Sequence, residues 1–167
     1  MMKLAEGIEG SSFVTAAGGN GRDMGIQISG LPGQWFTTMA SSPIGAFDVD
    51  LPKERALGAI GDSAVVEAFG LGAMAIKTSP EQQKNLGPYL PKDAAARSSN
   101  LSVGAHPYFR ELGVELGSTA RAAVAQGAGQ MVGLGILDNQ GIAGRLGGGV
   151  YNMPVSLFSA AMDALEK

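Results

Sequence analysis

Apolar and polar positions alternate over the first third of the chain and give way to longer apolar runs after it. Met24 to Ser29 reads MGIQIS, an alternation with the period of a strand that has one face buried. Ser12 to Ala17 (SSFVTA) precedes it, and Gln34 to Met39 (QWFTTM) follows with the aromatic and β-branched residues that suit strands. Gly18-Gly19-Asn20-Gly21 and Gly30-Leu31-Pro32-Gly33 punctuate these runs as turns. The pattern predicts three strands in an antiparallel meander.

Further on the period changes. Ser41 to Leu57, broken by Pro43 and Pro52, predicts irregular structure. Asp62 or Ser63 is a fitting cap for an apolar helix that runs to about Lys77, whose charge suits a C-terminus. Ser79-Pro80-Glu81 restarts a short helix with proline in its first turn. Lys92 to Asn100 fits either a short helix or a loop. Ser118 to Gln126 (STARAAVAQ) predicts a helix of small residues, and Met131 to Leu137 (MVGLGIL) a buried strand. Asp138 to Gly149 (DNQGIAGRLGGG) predicts a glycine-rich loop, and Met153 to Leu165 a closing amphipathic helix. Strands first, helices later and one strand near the end predict an α+β fold in a single domain, residues 1–167. Its parts would be N-terminal antiparallel strands, a central buried helix, small-residue helices, and a C-terminal strand and helix.

Composition sharpens this picture. Glycine is 26 of 167 residues, about twice its usual share of roughly 7%. Charged residues are 16%, against about 25% in ordinary soluble domains. A surface so poor in charge suits cover by another subunit, another domain or a ligand, although a compact domain with many tight turns reads the same way. The net charge of −3 comes without any basic run, which argues against nucleic acid as a partner. Cysteine is absent, so there is no thiolate nucleophile and no disulfide framework. The start MMKLAEGIEG has no secretory apolar core, and no apolar run reaches 18 residues. A cytoplasmic protein with no membrane contact is expected. His106 is the single histidine, so a structural role is expected for it, with no metal and no cofactor. Gly70-Leu71-Gly72-Ala73-Met74-Ala75 fits the dinucleotide fingerprint G-x-G-x-x-A but lies within the expected helix, where glycine would permit close helix packing.

Glu67 is the outstanding candidate for chemistry. It lies in a helix otherwise made of alanine, valine, phenylalanine, leucine, glycine and methionine, where an unpaired carboxylate is costly to bury. It would act as a general base with a raised pKa or pair with a buried arginine. Asp62 would cap the helix, or Ser63 and the first-turn amides would bind a carboxylate or phosphate. Asp138-Asn139-Gln140-Gly141 follows a strand, and Arg145 with Gly147-Gly148-Gly149 offers a guanidinium and an anion-binding nest of amides. A glycine-rich turn with a solvated arginine is the plain alternative. There is no Ser-His-Asp pattern, so any reaction would run on positioning and electrostatics.

Three blocks carry a family resemblance: NGRDMGIQISGLPGQWFTT from Asn20, GDSAVVEAFGLGAMA from Gly61, and GILDNQGIAGRLGGGVYNMP from Gly135. In this order they resemble the AllG/YlbE-like family, whose members include a subunit of oxamate carbamoyltransferase. The resemblance covers Asn20 to the end, and corresponds to the C-terminal part of a family member. It implies carbamoyl transfer, converting oxalurate and phosphate to oxamate and carbamoyl phosphate in purine (allantoin) breakdown. It also implies a small anionic substrate, a missing N-terminal region or other subunits, and a homo- or hetero-oligomer. On that reading Glu67 and Asn139 are catalytic, while Asn20, Ser29, Asp62, Ser63, Arg145 and Gly148 bind substrate. The competing readings are a non-catalytic docking subunit and a small-molecule binding domain without turnover.

Overall fold

The computed structural model describes residues 2–61 and 64–167. The fold is α+β, with the antiparallel meander in place. Strands β1 (Val14–Asn20), β2 (Asp23–Ile28) and β3 (Phe36–Met39) form it, and β5 (Ile60–Gly61) adds to the free edge of β1, giving the order β3-β2-β1-β5. Asn20 builds the first turn locally: its Oδ1 accepts the N–H groups of Arg22 and Asp23, and Gly21 takes φ +88°. Met24, Ile26 and Ile28, the apolar half of the alternation, are fully buried.

A second sheet was less apparent from the pattern. β4 (Ile44–Phe47) lies inside the segment expected to be irregular, and β9 (Arg145–Asn152) lies largely inside the expected glycine loop. With β8 (Met131–Leu137) they pair antiparallel in the order β4-β9-β8. The glycines hid β9 because they carry no side chain from which an alternation can be read. They are there because the strands approach closely: a Cβ on Gly147 would lie 1.9 Å from Ala46 O, and one on Gly149 2.5 Å from Ile44 O. None of Gly147, Gly148 and Gly149 has a positive φ, so the triple is a strand and not the expected nest.

The central helix also differs. It divides into α1 (Ala64–Ala68) and a 3-10 segment over Gly72–Thr78. Gly70 (φ +103°) and Gly72 (φ +58°) adopt conformations a side chain resists, so these glycines end the helix instead of packing it against another. A Cβ on Gly70 would sit 2.1 Å from the carbonyl oxygen of Glu115 in β7 (Glu115–Leu116), the partner of β6 (Gly104–Ala105).

Four further α-helices lie among the described residues: α2 (Pro80–Leu86), α3 (Ala94–Leu101), α4 (Ala120–Gln126) and α5 (Val155–Leu165). Thr119 caps α4 through Oγ1, which accepts the Ala122 N–H, and Gly127 ends it at φ +65°. α5 packs against β2, β3 and α4, while α1 lies between β1 of one sheet and β8 of the other. The core formed between them is built from Val14, Ile26, Met131, Tyr151, Leu157 and Phe158 among others. No helix among the described residues is long and apolar enough to cross a membrane.

The break after α1 is testable. Gly70→Ala meets a backbone oxygen and a disfavoured φ together, and is expected to destabilise the fold by about 1–3 kcal/mol in urea denaturation. An unchanged midpoint would mean that the 68–72 backbone is not as described.

Candidate functional site

Glu67 sits at the centre of the first sheet–helix junction and is 3% exposed. Its Oε1 accepts two backbone N–H groups, from Ala73 at 3.2 Å and Gly133 at 3.1 Å. The second acceptance explains a feature of the sheet. β8 is an edge strand, and edge strands leave alternate N–H groups unpaired. Glu67 takes one of them at Gly133, and Met74 Sδ lies 3.5 Å from another at Met131. The same alternation turns the Gly135 N–H away from β9.

Oε2 of Glu67 is buried and has no hydrogen-bond partner among the described residues. No arginine reaches the carboxylate there, so of the two expectations the buried ion pair gives way. Burial pushes the Glu67 carboxyl above the ordinary carboxylate value, and the N–H groups of Gly133 and Ala73 oppose the rise. Gly72 makes this geometry possible, since a Cβ there would lie 2.3 Å from Oε1.

The carboxylate borders a cavity of about 570 Å³. Glu67, Gly72, Gly133, Gly135, Arg145 and Gly148 contribute to its walls, with Ile76, Thr78, Gln82 and Leu86 opposite. Three predicted site residues therefore meet in one cavity: Glu67, Arg145 and Gly148. Gly133, Gly135 and Gly148 lie on one face of the β8–β9 pair, where the register sets Gly135 opposite Gly148. A Cβ on Gly133 or Gly135 would meet nothing closer than 3.8 Å. Packing within the chain does not require glycine at these two positions. Their effect is to keep the cavity floor free of side chains.

The other predicted residues lie elsewhere. Ser29 is fully buried and its hydroxyl donates to the Ala5 carbonyl, which ties the N-terminal segment to β2. Asn139 Nδ2 donates to Glu54 O at 2.8 Å, and its N–H to Arg55 O, so it fastens the turn after β8. Asn20 lines a smaller groove of about 280 Å³ with Trp35 and Asp23. Asp62 and Ser63 lie outside the described residues. His106 is buried in an aromatic cluster with Phe69, Tyr108 and Phe109, and its Nδ1 accepts the Tyr108 N–H.

Gly133 and Gly135 were not among the candidates, and Asp138 was singled out only as part of its loop. Asp138 accepts both arms of Arg55, at 2.8 and 2.6 Å, and the N–H groups of Gln140, Ile142 and Ala143. Arg55 above all, and then the turn amides, hold its carboxyl well below the usual carboxylate range. The two glycines did carry a signal, an i, i+2 spacing within an apolar strand, which places both on one face.

The family model described as oxamate carbamoyltransferase subunit AllG matches residues 1–63. That match falls on the N-terminal part of the chain and begins ahead of Asn20, where the three-block resemblance began. Oxamate carbamoyltransferase subunit AllG of Escherichia coli K12 is 31% identical over 171 residues, covering 96% of this chain and 40% of the relative. The uncharacterized protein YahG of the same organism is 29% identical, with 96% and 36% covered. A crystal structure of a conserved protein of unknown function from Enterococcus faecalis V583 superposes with a TM-score of 0.85 at 23% identity, over 99% of this chain and 41% of that one. The chain thus spans about two-fifths of the length of these relatives.

The state of Glu67 has a measurable consequence. Its carboxyl keeps a proton to higher pH when folded than when unfolded. Stability associated with that proton is complete below the unfolded value near 4.5 and falls away as pH rises through the folded value. Wild type is expected to lose stability relative to Glu67→Gln over the pH range that starts at the unfolded value near 4.5 and runs upward. Urea denaturation across that range tests this, and parallel pH profiles would contradict it.

Proposed function

Taking as premise that the chain is a relative of the AllG family of oxamate carbamoyltransferase subunits, we propose that it is a catalytic or substrate-binding part of a carbamoyltransferase-like complex. One observation supports the reading above others: a buried carboxylate with a bare oxygen borders the same glycine-floored cavity as an arginine. A small ligand with an amide or ureido group at one end and an anionic group at the other matches that pairing. Glu67 would accept an amide N–H through Oε2, Arg145 would hold the anion, and the Gly135 N–H would donate to a carbonyl.

The reaction proposed is that of the family: phosphate oxygen attacks the ureido carbon of oxalurate, and the bond to the oxamate nitrogen breaks. That nitrogen takes up a proton, and carbamoyl phosphate leaves. Such a step uses donors placed where negative charge develops and does not require a protein nucleophile. Glu67 is suited to orient the nitrogen or to relay its proton. Because the relatives are much longer, the remaining parts of the machinery would come from other subunits or further chain, in a homo- or hetero-oligomer. A cytoplasmic setting in allantoin breakdown belongs to the same proposal.

A docking role is the second reading, supported by Tyr108 and Leu112, which stand 87% and 65% exposed within a few residues of each other. Large apolar side chains exposed together mark contact surfaces.

Thermal melting with oxalurate, oxamate, carbamoyl phosphate and phosphate, singly and in pairs, separates the readings. A ligand at 100 times its Kd adds about 2.7 kcal/mol of stability. A specific shift that Gly135→Val removes, by filling the cavity floor, is the expected result. If no ligand shifts the melt, binding by this chain alone is rejected and docking is favoured. In the reconstituted complex Glu67→Gln should lower turnover about 10²–10⁴-fold if the carboxyl moves a proton. Unchanged turnover and affinity would remove that role.

A further inference from the structure

Arg145 is held in an unusual way. Its side chain lies across the glycine floor, with Nε 4.0 Å from where a Gly135 Cβ would stand and Nη2 3.3 Å from that of Gly148. A Cβ at Gly148 would crowd the guanidinium, whereas one at Gly135 would only touch it. Asp48 Oδ2 takes Nη1 at 2.6 Å. Among the described residues Nε and Nη2 have no acceptor. These two donors form the edge of the guanidinium that matches both oxygens of a carboxylate in parallel bonds.

Both partners are fixed by the same strand pairing. Arg145 opens β9, and the Asp48 N–H donates to Leu146 O at 2.7 Å, one step past the β4·β9 ladder. The sheet register therefore sets which side of the guanidinium Asp48 covers. Charge then decides what the open side accepts. Arg145 is the one cation lining the cavity among the described residues, and Asp48 already offsets it. Glu67 adds a carboxyl whose charge is either zero or negative. No arrangement of these three groups gives the cavity a net positive charge.

We propose that Arg145 and Asp48 form a charge-limited receptor, in which the Nε–Nη2 edge binds a singly charged carboxylate and Asp48 acts as a specificity determinant against a phosphate dianion. The proposal rests on the cavity being the ligand site and deepens that reading. It assigns the carboxylate end of the substrate to Arg145. The phosphoryl group of a co-substrate would then need a cation from another part of the complex.

The test compares oxamate with inorganic phosphate at pH 8 and low salt, by calorimetric titration of the full chain and of Asp48→Asn. Asp48 is exposed, so the variant keeps the fold, as an unchanged melt will verify. Removing one negative charge acts twice as strongly, in free energy, on a dianion as on a monoanion. If oxamate binds about 3-fold tighter in the variant, phosphate should bind about 10-fold tighter, and 0.5 M salt should compress both gains. Arg145→Gln should lose oxamate binding in either background. Equal gains for the two anions, no gain, or weaker oxamate binding in Asp48→Asn overturns the charge-limited receptor. Arg145→Gln then tells how far the failure reaches. If it abolishes oxamate binding, the cavity reading stands without this refinement. If oxamate binding survives it, the cavity reading falls as well.

Discussion

The buried carboxylate of Glu67 holds together parts of the fold that secondary structure leaves separate. α1 ends one residue after it, the 3-10 segment begins at Gly72, and β8 is the edge of a different sheet. Oε1 bonds to the second and third through the amides of Ala73 and Gly133. Hydrogen bonds to a charged acceptor are stronger than neutral ones. Two such bonds offset much of the cost of burial for one oxygen and none of it for the other. The fold thus retains a group it has satisfied only in part, and an unpartnered buried polar atom calls for an explanation outside the fold. A ligand N–H is the simplest one.

This constraint sorts the glycines into distinct kinds. Gly70 and Gly72 supply backbone conformations that end α1 and let the chain turn beneath the carboxylate. Gly45, Gly147 and Gly149 let β4 and β9 approach where any Cβ would strike backbone. Gly133 and Gly135 answer to neither need, having no positive φ and room for a Cβ at ordinary contact distance. Glycine in a strand interior costs about 0.5–1 kcal/mol relative to alanine. That cost has no return in the packing of this chain, and it falls on the cavity floor next to the half-satisfied carboxylate of Glu67.

The sequence was legible where side chains alternate. The meander β1–β2–β3, the strand Met131–Leu137 and the closing helix follow from apolar spacing, and Glu67 was conspicuous because its neighbours are apolar. It was illegible where glycine removes the signal. β4 and β9 read as irregular chain because IGAF and RLGGG present too few side chains to show a period of two. The break after Phe69 was hidden for the opposite reason, since apolar residues continue on both sides of two glycines that change the backbone. Among the candidate residues, Glu67, Arg145 and Gly148 converge, whereas Ser29 and Asn139 serve as structural fasteners. A hydroxyl or amide in a glycine-rich segment looks the same in sequence whether it bonds a ligand or a carbonyl of its own chain.

Two arginine–aspartate pairs flank the β8–β9 turn, and their difference bears on how the site works. Arg55–Asp138 is bidentate, its carboxylate is fully enclosed, and three turn amides add to it. A carboxylate bonded so completely stays ionised and stays in place. It fixes the turn from Asp138 to Gly144, and hence the point at which β9 begins with Arg145. Arg145–Asp48 has a single bond, with both side chains more than half exposed. Exposed pairs of that kind contribute about 0–1 kcal/mol. The enclosed pair sets where the second arginine emerges, and the exposed pair leaves its guanidinium available. A site assembled from strand amides, one carboxylate and one loosely held guanidinium needs that division, because the backbone donors cannot adjust and the charged group must.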